Sequence, residues 1–385
     1  MSWRFVTSEA VDAAAGLGVD EALMQSYSRD SQEATGPEAT LRLYTYRSHC
    51  ALVGRYQSLE DEVDLDFCAQ HDLQVGRRPT GGGAIIMGRD QLGVAIAAAS
   101  VPEEPPRESL KRYAKSVIAG LAALGIDAQF RSKNDLEVDG RKIAGLGLYL
   151  NPEGAVLFHA SVLFDLDLEL MLQVLRIPGA KVMDKAVARV SERVTTVSRE
   201  RGEETPVLEA RSLFAQAMAD EAGVELLRSE PTEAEKKRAD ELIATRFGSD
   251  AWIRQRSPRR DARGSAVLKT PAGLLRIYAG IHGDSIKSVL VTGDFNLAPA
   301  ALPRLEAALK WSRAEAEAIQ ETVEANLAFE DLGVEPNRVG AAIWEAAERG
   351  LALQHRGHPR RPEGSCYFPE PGQSAKEPSA EETPT

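Results

Sequence analysis

Cysteine is nearly absent: the 385 residues contain three, Cys50, Cys68 and Cys366. They are too few and too scattered for a disulfide framework or a zinc site, which fits a reducing compartment and inert thiols. No apolar run approaches the roughly 20 residues of a membrane helix. The N-terminus "MSWRFVTSEAVDAAAG" has no basic start, apolar run and small-residue cleavage site, so nothing marks it for export. These absences set the expectation of a cytoplasmic protein with no membrane contact. Basic charge is short as well: 46 Lys and Arg against 58 Asp and Glu give a net charge of -12. Phosphate contacts need a basic surface, so broad nucleic-acid binding is disfavoured. Two nucleotide fingerprints are missing too: there is no G-x-x-x-x-G-K-[ST], and Gly81-x-Gly83 lacks a third glycine at Ile86.

What is present is an ordinary globular mixture, 43% hydrophobic with mean hydropathy -0.27, long enough for two domains. Residues 11–25 and 106–124 carry apolar side chains near helical spacing. Strand-like runs come at "LRLYTYRS", "CALVG", "LQVG", "GAIIM", "LGVAIAAA", "DLEV", "KIAGLGLYL" and "AVLFHASVLF". Strands in hairpins with helices interspersed predict an α+β fold on a mostly antiparallel sheet. "VSRERGEETP" resembles a linker, and residues 199–247 look helical and charged. A second hairpin flanks "HGDS", followed by three helical segments. The domain reading is 1–200 catalytic, 201–234 helical linker, 235–352 a small α+β accessory domain, and 353–385 a Pro-, Glu- and Ser-rich disordered tail. The tail's His355, His358 and Cys366 are too loosely spaced for a metal site.

The stretch "GRRPTGGGAIIMGRD" interrupts two strand-like runs. Gly81, Gly82 and Gly83 permit positive φ and close backbone approach, and Arg77 and Arg78 bring forked donors, which suits a phosphate or carboxylate cradle. A glycine cluster by itself is more commonly a flexible turn. In "SKNDLEVDGRKIAGLGLYL" the Asp139-Gly140 pair predicts a two-residue hairpin turn that sets Val138 opposite Arg141 and Glu137 opposite Lys142. Lys142 then reads either as an exposed cross-strand partner of Glu137, worth roughly 0.2–1 kcal/mol, or as a pocket lysine. Alternation puts it on the face of Ala144, Leu146 and Leu148. Asn134 and Asp135 suit a local Asx turn, a ribose or a metal.

Taken in order, "ALVGRYQS", "RRPTGGGAIIM", "NDLEVDGRKIAG", "FHASVLFDLD" and "ARVSERVTTV" resemble the lipoate–protein ligase family over about residues 1–200. Its catalytic fold is the class II aminoacyl-tRNA synthetase/biotin ligase-like α+β sheet. "AWIRQRSP" and "VTGDFN", within about 235–350, resemble the accessory C-terminal domain found on many such ligases. The resemblance implies a two-step reaction, in which lipoate and ATP give lipoyl-AMP and pyrophosphate, then the acyl group passes to a carrier lysine. The implied carrier is an E2 lipoyl domain, a glycine-cleavage H protein or a specialised lipoyl carrier; ATP and Mg2+ are the implied cofactors, and monomer is the default state. It also implies roles by position. Lys142 stabilises the adenylate. Arg78, Thr80, Gly81, Gly82, Gly83 and Ala84 wall the acyl–phosphate junction, Gly145 keeps the strand thin, and His159 lies in the pocket or is a satisfied core residue. Asn134 and Asp135 hold the nucleotide and its magnesium, with no dedicated protein metal site.

One departure is that many relatives follow the glycines with a His-Asp pair, whereas this chain reads "GGGAIIMGRD". The alternative within the superfamily is an octanoyltransferase, which moves octanoate from acyl carrier protein through a cysteine thioester without ATP. Its cysteine stands either three residues before the "FH" histidine, where this chain has Val156, or ahead of the lysine strand, where "GIDAQFRSKNDL" has none. Biotin ligase is disfavoured because "RRPTGGG" replaces its "GRGRxGR" loop. A non-catalytic lipoyl- or nucleotide-binding protein is the alternative from another class, and the presence of Lys142 weighs against it. Finally, Arg254, Arg256, Arg259, Arg260 and Arg263 form a basic run in an acidic chain. Such runs are usually solvated loops, and the functional expectation is docking of an acidic carrier face.

Overall fold

The computed structural model describes residues 1–29, 36–131, 134–176, 183–295 and 300–357. Its strands are β1 (Ser2–Val11), β2 (Ala39–Tyr46), β3 (Cys50–Val53), β4 (Gln74–Arg77), β5 (Ile85–Met87), β6 (Gln91–Ala99), β7 (Gln129–Arg131), β8 (Asp135–Val138), β9 (Arg141–Leu150), β10 (Ala155–Leu163), β11 (Glu225–Arg228), β12 (Gly264–Lys269), β13 (Leu274–His282) and β14 (Ser285–Gly293). Eight form one sheet in the order β11-β1-β2-β6-β10-β9-β8-β7. Only β1 pairs in parallel, with β2 and β11; every other neighbour is antiparallel. The α+β, mostly antiparallel fold is as expected.

The central strands are apolar on both faces because both faces are covered. Helices Pro106–Ala123 and Val207–Ala222 close one side over a core that includes Val117, Leu121, Phe158 and Phe214. Proline at the start of the first of these helices forfeits no hydrogen bond there and presets φ. Helix Ala13–Gln25 lies on the other side with Leu17, Leu23 and Met24 inward. A small sheet in the order β4-β3-β5 stands beside it and carries the glycine loop between β4 and β5.

Three segments differ from the sequence reading. Ser2–Val11, not foreseen as a strand, forms β1 and delays the first helix to Ala13. Residues 201–234, read as a helical linker, contain a helix but belong to the first unit. Helix Val207–Ala222 completes the main core, and β11 extends the sheet beside β1. Helix Glu233–Leu242 packs on helix Ala13–Gln25, with Ala239, Leu242 and Phe247 in their shared core, so the first unit continues to about Ile253. The last helix, Pro336–Gly357, runs through residues 353–357, which had been counted with the tail; the remainder of the tail, with Cys366, lies outside the described residues.

The second unit is the antiparallel sheet β12-β13-β14 covered by helices Ala301–Leu309, Ala316–Asn326 and Pro336–Gly357. It grips the first unit beside the glycine loop. Gly82 N–H donates to Phe295 O at 2.7 Å and Gly293 N–H to Tyr56 O at 3.0 Å. On the short helix Leu59–Glu62, Arg276 pairs with Glu62 at 2.9 Å and the Tyr278 hydroxyl donates to Asp61 at 2.5 Å. Among the described residues no helix is long and apolar enough to cross a membrane.

Candidate active site

The sheet face under helix Ala13–Gln25 is hollowed by small residues. Across it, one row runs Tyr44, Gly93, Ser161, Gly145 and the next Arg42, Ala95, His159, Gly147. A Cβ on Gly93 would stand 2.6 Å from the Tyr44 ring, and one on Gly147 would stand 3.0 Å from Thr80. Any side chain at either position would therefore fill the groove. The result is an open cleft of about 630 Å³. It is lined by Arg78, Thr80, Gly81, Gly82, Gly83, Ala84, Asn134, Lys142, Gly145 and His159, among others. Residues as distant in sequence as Arg78 and His159 meet here.

The Asp139-Gly140 turn is formed, with φ of 50° and 77°, and pairs Glu137 with Lys142 as predicted. The face assigned to Lys142 was wrong. A bulge between Leu136 and Glu137 shifts the register by one residue, which turns Lys142 away from Ala144 and Leu146 in the core and over Gly145 on the cleft side. A Cβ on Gly145 would come within 3.1 Å of Lys142 Nζ. Its ion-pair partner also differs: Nζ lies 2.7 Å from Asp135 Oδ1, while Glu137 takes Arg131 at 2.7 Å. The backbone of Lys142 is clamped from outside, its N–H donating to Arg193 O at 2.8 Å and its carbonyl accepting from Thr195 N–H at 2.9 Å. That is the structural task of "ARVSERVTTV". Beyond Lys142 a second, apolar cavity of about 510 Å³ opens between Ile86, Leu163, Leu166, Met171, Leu175 and Val194, so the ammonium stands where two cavities meet.

The arginines before the glycines do not offer their forks to a ligand. Arg78 is buried and donates to the carbonyls of Leu52, Gly81 and Gly83 at 2.5, 3.2 and 2.7 Å. Burial lowers its pKa to about 10, which leaves it charged at neutral pH. Arg77, fully buried, donates through Nε and Nη1 to the carbonyls of Gly54, Arg55, Gln57, Trp252 and Ile253. Both brace the loop from behind. Gly82 alone of the three glycines has positive φ, 88°, and its carbonyl is approached so closely by Gly54 that a Cβ there would be 2.0 Å away. Met87, four residues after the last of the glycines, lines the cleft with an apolar side chain.

His159 satisfies both readings offered for it. It is 8% exposed and lines the cleft, while Nε2 is bonded to Asp20 Oδ2 at 2.9 Å. Asp20 is fully buried and also accepts from Arg42 Nη1 at 2.6 Å and from the Tyr44 hydroxyl at 2.9 Å. Burial pushes its pKa up, but Arg42 and His159 outweigh it and hold the carboxyl below its ordinary range. The sequence reading missed Asp20, Arg42 and Tyr44. A signal existed, because Asp20 falls between Leu17 and Met24 at the spacing of the helix's buried face.

Asn134 Nδ2 donates to Leu146 O at 3.0 Å, fixing the start of β8, and the residue lines the cleft. Arg254 and Arg256 are engaged within the chain: Arg254 pairs with Glu60 at 2.7 Å, and Arg256 donates to Val291 O at 2.7 Å and meets Glu306 at 3.2 Å. Arg259, Arg260 and Arg263 are exposed and make no ion pair among the described residues. Cys50 and Cys68 are buried and do not line the cleft. Burial raises the Cys50 thiol strongly, and burial with nearby Asp64 raises Cys68 to about 11. No cluster of three metal-binding side chains occurs among the described residues.

Comparison with known proteins agrees with this architecture. An octanoyltransferase, LipM, of Symbiobacterium thermophilum is 26% identical over 273 residues, covering 65% of this chain and 97% of that protein. The bi-partite lipoate protein ligase of Thermoplasma acidophilum, studied with its E2 lipoyl domain, matches with TM-score 0.60 and 25% identity over 68% of this chain and 99% of its own. LipL1 of P. falciparum, in complex with lipoate, matches over 92% of this chain and 99% of its own with TM-score 0.63; at 14% identity this is a likeness of fold across both units. The lipoyl protein ligase A/B catalytic domain model matches residues 12–219, more than half the chain, and the protein belongs to that family of lipoate ligases and octanoyltransferases.

Proposed function

We propose that the protein joins a medium-chain acyl group, lipoyl in the first instance, to the lysine of a lipoyl carrier, and that it activates the acid with ATP. The observation that carries this is Lys142 at the meeting point of two cavities with no described thiol beside it. The acid's carboxylate oxygen attacks the α-phosphorus, the bond to the bridging oxygen breaks and pyrophosphate leaves. The carrier amine then attacks the acyl carbonyl, AMP leaves with the bonding electrons, and the amine's proton passes to solvent. Negative charge grows on phosphate oxygens in the first step and on the carbonyl oxygen in the second, and a fixed ammonium with backbone N–H donors at Gly83 and Ala84 stabilises both. Asp135 orients that ammonium.

Magnesium fits as a partner of the nucleotide. It binds through one or two carboxylates plus phosphate oxygens, and Asp135 with the Asn134 carbonyl supplies that much. When bound it would offset charge on the leaving phosphates.

The second reading is octanoyl transfer from acyl carrier protein, favoured by the octanoyltransferases that come first among the curated relatives. On similarity alone it leads. It needs a nucleophilic thiolate, and the buried, raised thiols of Cys50 and Cys68 do not meet that need. Pyrophosphate release on mixing protein, lipoate, ATP and magnesium tests the choice: release that requires the acid supports the ligase, and none at saturating lipoate removes it.

Arg259 and Arg260 are then the residues to meet an acidic carrier face. Neutralising both as alanines should raise the carrier KM roughly tenfold at low ionic strength and leave kcat alone, the difference closing at high salt. An unchanged KM at low salt would leave the run as a solvated loop.

A further inference from the structure

In the second unit, the turn between helices Ala301–Leu309 and Ala316–Asn326 holds a residue ill suited to its backbone. Trp311 has φ of 68° and is 58% exposed, the most exposed aromatic side chain among the described residues. Left-handed backbone crowds a Cβ and is rare for a bulky residue, whereas glycine adopts it readily. The fold does use that conformation. Trp311 N–H donates to Ile286 O at 2.6 Å, Ile286 N–H to Ser312 O at 2.9 Å and Ala314 N–H to Asp284 O at 2.8 Å, seating the turn along the outer edge of β14. None of these bonds calls for an indole, and the indole is mostly left in water. A strained and solvated tryptophan points to a task outside the fold. Its surroundings are basic in a chain of net charge -12. Lys310 is exposed, and Arg313, 76% exposed, reaches Glu315 only at 3.4 Å. Lys287, next to Ile286, pairs with Asp261 and so brings Arg259 and Arg260 to the same end of the strand.

We propose that Trp311 is the apolar anchor of a docking surface for an acidic face of the carrier, with Lys310, Arg313, Arg259 and Arg260 as its charged rim. The inference rests on the acyl-transfer reading above and names the contact that recruits the partner; it holds for either acyl donor. Tryptophan and arginine are the residues most enriched where binding energy concentrates, an apolar anchor inside a polar border. The basic rim selects an acidic partner over this chain's own like-charged surface. Distance fits as well. Ile286 and Gly293, where the second unit meets Tyr56, are seven residues apart on β14, roughly 23 Å. A carrier of small-domain size, about 30 Å across, set on Trp311 therefore spans that length and brings its lysine toward the cleft.

Calorimetric titration of the full chain with an apo E2 lipoyl domain, and in parallel with an apo glycine-cleavage H protein, reads docking without acid or ATP. Trp311→Gly should weaken carrier binding by about tenfold or more, while Trp311→Phe, which keeps an aromatic face, should stay within about threefold of the wild type. Carrier should also shield the indole, so that acrylamide quenching of tryptophan fluorescence falls in the wild type and is unchanged in Trp311→Gly. The urea midpoint of Trp311→Gly should equal or exceed that of the wild type, because glycine relieves the strain; a residue kept for folding would lower it. Carrier affinity unaffected by Trp311→Gly, or a lowered midpoint, would overturn the proposal. A wild-type dimer in sedimentation that Trp311→Gly dissolves would overturn it too, by making the partner a second copy of the chain. Carrier binding that ignores Trp311 leaves the acyl-transfer reading standing, whereas a wild type that neither binds nor acylates either carrier ends both.

Discussion

Lys142→Met is expected to lower the rate of acyl transfer by roughly 10²–10³-fold, the cost typical of removing one preorganised electrostatic donor from an active site, with little loss of stability. The two effects separate because of where the side chain is. Its Nζ stands over Gly145 at the junction of both cavities, yet the side chain is 34% exposed and its partner Asp135 32% exposed. Ion pairs this solvated contribute about 0–1 kcal/mol. The strand is held by backbone hydrogen bonds to Arg193 and Thr195, which the substitution leaves in place. The check is kcat beside the urea midpoint. A variant retaining more than about a tenth of the wild-type kcat would show that Lys142 is not the charge-stabilising group.

Arg42→Met should produce the opposite pattern, a stability loss of about 3–5 kcal/mol, because it leaves the Asp20 carboxylate buried without its principal counter-charge. The loss should depend on pH. The folded state holds Asp20 below its ordinary value of 3.8, so in the wild type the pair stabilises fully above that value, and the contribution fades as pH falls through the lower, folded value. In the variant burial acts unopposed by Arg42, Asp20 protonates more readily, and the gap between the two proteins narrows as the pH is lowered. Urea unfolding of both proteins at pH 7 and near pH 4 measures this; a gap of the same size at both would mean Asp20 is not charged in the folded wild type. Asp20→Asn combined with Arg42→Met should recover part of the loss at pH 7, since no buried carboxylate then remains.

The parts of this site legible in the sequence are those fixed by local chemistry. Asp139-Gly140 specifies its turn through positive φ at two successive residues, and the Glu137–Lys142 register followed from it. The strand runs and the two long helices likewise announced themselves through periodicity. Lys142's face did not, because a single bulged residue beside it, Ile143, reverses inward and outward, and no residue type marks it. Arg77 and Arg78 suggested ligand contacts because sequence shows their charge but not the orphan carbonyls that claim it. The same limit hid Gly54, which matters only through its approach to Gly82, and Phe295, whose carbonyl reaches that loop from the second unit. All of β11 lies within residues 201–234, which read as a helical linker; the strand exists because the open edge of β1 was there to pair with it. What identified Lys142 among ordinary strand lysines was the order of five motifs, and the structure supplies the reason for that order by gathering them around one cleft.

We propose ATP-dependent acylation through Lys142. Its most direct test is the intact mass of an apo E2 lipoyl domain after incubation with this protein, lipoate, ATP and magnesium. Lys142→Met and an ATP-free mixture serve as controls, and octanoyl-acyl carrier protein is offered in a parallel reaction. The account predicts a gain of one lipoyl group that disappears in both controls. A carrier that stays unmodified with lipoate and ATP, yet gains an octanoyl group from octanoyl-acyl carrier protein without ATP, would contradict it and make the protein an octanoyltransferase.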